Sequence, residues 1–129
     1  MHELAVAQSM IEEAARVAVL HRAEAIEHIL VRVGALSGVE PPLLERAFTV
    51  ARAGTLADWA TLTIEVGPVS VRCTHCGAQT QAAPNKIVCG ACGDWRVRVV
   101  SGEELLLIRV ELAGVPDEPA VETSGGAPN

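Results

Sequence analysis

Tyrosine is absent, and the whole chain holds only three aromatic residues, Phe48, Trp59 and Trp95. A core without aromatic bulk has to be assembled from Ala, Val, Leu and Ile. Long hydrophobic runs are lacking too: no stretch approaches the roughly 18 consecutive apolar residues of a membrane-spanning helix. The N-terminus has no basic region, and Glu3, Glu12 and Glu13 interrupt its apolar residues, unlike a secretory signal. Such a chain is expected to stay in the cytoplasm. Positive charge is scarce, with 10 Lys and Arg against 16 Asp and Glu and a formal net charge of −6. An acidic chain is a poor general partner for nucleic acid or an anionic membrane. There is no nucleophile–base pair and no Gly-rich phosphate loop, so a hydrolytic enzyme is the least supported class. What is present is apolar material: 50% of 129 residues, with a mean hydropathy of +0.31. That suits one packed domain with at most a small appendage, and it excludes wholesale disorder.

The patterning predicts an α+β (α/β-like) architecture. Residues 4–20 read as a helix, with Leu4, Ala7, Ile11, Ala14 and Ala18 at three- and four-residue spacing and Glu12, Glu13 and Arg16 on the wet side. Residues 26–33 alternate as a strand that Gly34 ends. After a loop over 35–40, Pro41 and Pro42 open a second helix whose apolar face is Leu43, Leu44, Ala47, Phe48 and Ala51, with Gly54 as its stop. Residues 61–66 alternate cleanly as a second strand, broken by Gly67-Pro68. Residues 104–112 form a third, with Leu106, Ile108, Val110 and Leu112 expected on one face and Arg109 and Glu111 on the other. Helices with one apolar face need a sheet to cover. The expected fold is therefore two helices on a small three-stranded sheet, formed by residues 1–68 plus 101–112, with a four-Cys module inserted at 69–100. The Pro-, Gly- and Glu-rich remainder, 113–129, is expected to be a disordered tail.

The inserted segment is too small to bury a core of its own, so a metal must staple it. Its four cysteines, Cys73, Cys76, Cys89 and Cys92, follow the spacing C-x2-C-x12-C-x2-C. Each C-x2-C pair can wrap one tetrahedral ion, and Gly77 and Gly93 follow each pair where the turn needs a left-handed backbone. In a reducing cytoplasm such pairs are metal ligands rather than disulfides. Four thiolates suit zinc or iron, and a closed set leaves no position for catalysis, so the site is structural. An iron site would make the module a rubredoxin-like electron carrier. A zinc ribbon raises nucleic-acid binding instead, since Arg72, Lys86, Arg96 and Arg98 outweigh Asp94 and Trp95 could stack on a base. One aromatic and four scattered bases make a thin face for that purpose. His75, between the first two cysteines, is read as an exposed residue of the turn.

The chain opens Met1-His2-Glu3. A bulky second residue protects Met1 from trimming and leaves a free α-amine. That amine, the His2 backbone nitrogen and the His2 ring nitrogen can close two chelate rings around one ion, with Glu3 completing four donors. A planar N/O set is what Ni(II) or Cu(II) prefers.

Taken together, these residues resemble the hydrogenase nickel-incorporation (maturation) proteins of the HypA/HybF family. The resemblance is carried by Met1-His2-Glu3-Leu4, the loop Val33-Gly34-Ala35-Leu36-Ser37-Gly38-Val39, Pro42-Leu43-Leu44 with Ala47-Phe48, Gly54-Thr55, the two Cys pairs and Gly102-Glu103-Glu104-Leu105, across residues 1–112. It implies a metallochaperone rather than an enzyme. Nickel would bind at Met1, His2 and Glu3 as cargo, with Glu40 assisting, and Cys73, Cys76, Cys89 and Cys92 would hold structural zinc. It also implies two partners, a HypB-type hydrogenase-maturation GTPase and the [NiFe] hydrogenase large subunit. Gly90 stands where the family often has Pro, which is expected to loosen the second Cys turn.

Overall fold

The computed structural model describes residues 2–116. Helix α1 spans His2–Leu20 and buries Glu3, Ala7, Met10, Ile11, Ala14 and Ala18. Ala7, Ala14 and Ala18 are fully buried, so the helix axis can come close to what it covers. The helix closes with Arg22 in the left-handed region, φ 55°. There the Arg22 and Ala23 N–H groups donate to the carbonyls of Val19 and Ala18, a Schellman arrangement built without glycine. Leu4 is exposed and Glu3 takes the buried place beside it, a reversal of the expected stripe that the loop described below explains.

Strand β1, Ala25–Gly34, is the centre of the first sheet. Helix α2, Pro41–Ala51, is the crossover to β2, Thr61–Gly67, which runs parallel to β1. Glu40 caps α2 through its carbonyl, which accepts from the Leu44 N–H, and Leu44 and Phe48 are the buried anchors. α1 packs on α2, β1 and β6. The core comprises Ile26, Ile29, Val31, Val33, Leu44, Phe48 and the α1 alanines. Ile26 and Ile29 share a face despite odd spacing because the β1–β6 pairing shifts between Ile26 and His28.

The second sheet, in the order β4-β3-β5, belongs to the inserted segment: β3 Val69–Cys73, β4 Gln79–Ala82 and β5 Val97–Ser101. Only Pro68 separates β2 from β3. Val69 and Val71 are buried here and lie outside the cluster formed under the helices. The chain returns through Gly102, φ 129°, into β6, Leu105–Ala113, antiparallel to β1.

β6 corrects one expectation. Leu105, Leu107, Val110 and Leu112 pack on the core, while Leu106 and Ile108 are exposed. The cause is a bulge: Leu30 pairs with Arg109 and Val31 with Leu107, which leaves Ile108 unpaired. One extra residue inverts the parity of everything before it. The strand includes Ala113, and the tail expected to be disordered lies, from residue 117 on, outside the described residues.

Candidate metal centres

Two knuckles of near-identical construction hold the cysteines. In the first, the His75 and Cys76 N–H groups donate to Cys73 Sγ at 3.3 Å each, and the Gly77 N–H donates to the Cys73 carbonyl at 3.1 Å. In the second, Ala91 and Cys92 donate to Cys89 Sγ at 3.3 and 3.4 Å, and Gly93 donates to the Cys89 carbonyl at 2.9 Å. Gly77 and Gly93 both sit at φ 78°, where a Cβ would be strained. The knuckles face each other, with Cys73 and Cys92 sulfurs 3.6 Å apart and Cys76 and Cys89 sulfurs 3.7 Å apart. All four lie within 4.8 Å of one another. Metal–sulfur bonds of about 2.3 Å put the edge of a tetrahedron at about 3.8 Å, so the donor set fits a zinc ion.

Electrostatics points the same way. The Cys92 N–H, aided by Ala91, draws the Cys89 thiol down to about 6, and the Cys76 N–H with His75 lowers Cys73. The Asp94 N–H pulls Cys92 down, but burial and the three neighbouring sulfurs override it and push it up to about 12. Thiols this close cannot all ionise unaided, and a divalent cation removes the conflict.

The surroundings stiffen the second knuckle. Asp94 is held well below the usual carboxylate range by the Arg96 guanidinium and backbone N–H; its Oδ1 accepts from the Arg96 N–H at 2.8 Å, and its carbonyl accepts from the Cys89 N–H at 2.9 Å. Gly90 is not loose: its N–H donates to Thr80 Oγ1 at 2.8 Å, a bond that proline could not make. His75 is exposed. Trp95 is 75% exposed, with Arg96 over its ring at 5.9 Å, so one of the four bases is already paired with Asp94 and lies on the aromatic.

The other candidate centre is the start of α1. Met1 lies outside the described residues. The His2 side chain is 56% exposed, with Nε2 3.9 Å from Glu3 Oε2. Glu3 itself is 7% exposed, the one buried carboxylate among the described residues. Its carboxylate is lowered by its own backbone N–H and also by the N–H of Glu40, which ties the helix start to the loop before α2. The Glu40 side chain is exposed. Among the described residues the four cysteines form the only cluster of three or more potential ligands; His2, Glu3 and Glu40 do not form one. The first amides of a helix have no intrahelical acceptor, so the His2 nitrogen is chemically available. Two cavities flank this end. One, about 300 Å³, is lined by Glu3, Leu4, Leu43 and Val50. The other, about 380 Å³, is lined by His2, Ser37, Val39, Glu103 and Leu105. Glu103 was visible in the sequence only as part of Gly102-Glu103-Glu104-Leu105, with nothing to place it beside His2.

Comparison with known proteins covers both centres. A family model described as hydrogenase/urease nickel incorporation, metallochaperone, hypA, matches residues 1–112. The chain belongs to this family. The hydrogenase maturation factor HypA of Nitrosospira multiformis is 45% identical over 112 residues, covering 87% of this chain and 97% of that protein. The Aquifex aeolicus factor is 33% identical over the same coverage. The solution structure of the Ni metallochaperone HypA from Helicobacter pylori aligns with a TM-score of 0.66 at 28% identity, over 88% of this chain and 99% of that one. The HypA match stops at residue 112, next to the last residue of β6, so it takes in both sheets and both helices. The family is one of metallochaperones in hydrogenase maturation, and no helix among the described residues is long and apolar enough to cross a membrane.

Proposed function

We propose that this protein binds Ni(II) at its N-terminus and delivers it during maturation of [NiFe] hydrogenase, while zinc in the four-Cys site keeps the 69–100 module folded. The ligands in this reading are the Met1 α-amine, the backbone and ring nitrogens of His2, and Glu3, with Glu40 assisting. The observation that carries it is the contrast between adjacent side chains: His2 is open to solvent at the first residue of α1, and Glu3 is anchored beneath it. An exposed chelate on an anchored base can exchange ligands with a recipient without unfolding anything. Deprotonated amide nitrogens also offset the repulsion that a helix N-terminus exerts on a cation. Zinc supplies folding free energy to the module and no chemistry. The partners proposed are a maturation GTPase and the hydrogenase large subunit, in the cytoplasm, where the four free thiols stay reduced.

The test is calorimetric nickel titration of untagged wild type and His2→Ala, with zinc content checked in both. His2→Ala is expected to lose nickel binding, keep its zinc and change stability by less than about 0.5 kcal/mol, because the side chain is outside the core. Equal nickel affinity in the two proteins defeats the reading.

A further inference from the structure

The turn between β5 and β6 carries two consecutive acids that the structure treats differently. Glu104 is tied down: its Oε1 accepts from the Gly102 N–H at 2.8 Å, and its carbonyl accepts from the Gly34 N–H at 2.7 Å. Leu36 donates to the Gly102 carbonyl at 2.6 Å, and a Cβ on Gly34 would come within 2.2 Å of that oxygen. The loop after β1 and the turn before β6 are thus locked together backbone to backbone. Glu103 sits at the exposed tip of this rigid turn, and its carboxylate has no hydrogen bond or ion pair with any other described residue. It lines the same cavity of about 380 Å³ as His2 and Ser37.

A metal-bound imidazole has a second ring nitrogen, and its N–H needs an acceptor; carboxylates commonly fill that place. When His2 chelates through its backbone nitrogen and Nδ1, Nε2–H is left over. Glu3 lies 3.9 Å from Nε2, beyond hydrogen-bond range, and its carboxylate already receives backbone N–H groups. Glu103 is a carboxylate on a residue that lines the cavity with His2, and it has no competing partner among the described residues.

Resting on the nickel reading above, we propose that Glu103 is a positioning residue for the nickel site: its carboxylate accepts the outer ring N–H of nickel-bound His2 and fixes the ring's tautomer. It also links the exit of the four-Cys module to the cargo site through one turn. Removal of such an acceptor typically weakens metal binding by about 10–100-fold.

The experiment titrates Ni(II) into untagged wild type, Glu103→Ala, Glu103→Asp and His2→Ala, with zinc content and melting temperature measured for each. The ring N–H of His2 is followed by nitrogen-edited NMR in the nickel-loaded proteins. Glu103→Ala is expected to bind nickel at least tenfold more weakly at unchanged zinc content and melting temperature, and to lose solvent protection of the His2 ring N–H. Glu103→Asp restores part of both. Wild-type affinity and ring protection in Glu103→Ala, with His2→Ala inactive, overturn this proposal and leave the nickel reading standing. Full nickel binding by His2→Ala overturns both.

Discussion

The four-Cys cluster and the start of α1 are built in opposite ways. At the four-Cys site the ligands stand at tetrahedral separations, two of the sulfurs already draw backbone N–H groups, and glycines set the turns. At the start of α1 the donors are not gathered: His2 points to solvent, Glu3 is drawn inward, and Glu40 is exposed. An ion whose ligands staple a module can leave only if that module unfolds. An ion chelated at an exposed helix end can pass to a competitor while the fold stays intact. Retention suits a structural ion, and exchange suits cargo.

The contrast can be broken first at the cysteines. Zinc binding to sites of this kind contributes on the order of 10 kcal/mol to folding, so Cys89→Ser should unfold 69–100. The core under the helices contains no residue of the module, and the α/β part is expected to keep its fold. Hydrogen exchange resolved by segment, with zinc analysis, checks this. Loss of protection in α1 and β1 alongside the module would show that the two ends are one cooperative unit.

The next largest effect is expected at Gly34, where the ends meet. An alanine Cβ would lie 2.2 Å from the Gly102 oxygen and 2.8 Å from the Glu103 nitrogen, both backbone atoms. Relief requires the turn to move, at a cost of about 3 kcal/mol. Chemical denaturation measures the loss, and nickel titration of the same variant should weaken as Glu103 is displaced. A Gly34→Ala protein as stable as wild type would mean that the contact is slack.

The smallest effect concerns pH. The Glu104 carboxylate is held below its ordinary value by the Gly102 N–H first, then by its own and Glu103's, with Arg32 adding attraction. A carboxylate lowered in the folded state stabilises it above the unfolded value, about 4.3, and that contribution disappears as pH falls through the lower folded value. Wild type should therefore lose stability below about pH 4.3 more steeply than Glu104→Gln. Parallel stability–pH curves for the two proteins would remove Glu104 from the junction.

Much of this was legible in one dimension because it depends on local chemistry. The apolar spacing of residues 4–20, the Pro41-Pro42 start and the alternation of residues 61–66 are signals carried by the elements themselves, and the observed helices and strands lie on them. The two C-x2-C pairs with their trailing glycines specify a knuckle whatever surrounds them. Tertiary structure decided what depends on a distant backbone. Leu4 was expected inside, but the N–H of Glu40 offers a hydrogen-bond donor to a carboxylate at that spot, so Glu3 is buried instead. Ile108 was expected to face the core, but a bulge leaves it unpaired with β1 and turns it outward. Gly90 was expected to loosen its turn, but Thr80, ten residues earlier on β4, supplies an acceptor. Glu103 carried no signal until the turn folded beside His2. Residue identities set the inventory of helices, strands and ligands through short-range sterics and hydrophobic period. The choice of which carboxylate is buried, which face of β6 is wet and which acid shares a cavity with His2 belongs to hydrogen bonds and contacts between segments far apart in the chain, which no local pattern encodes.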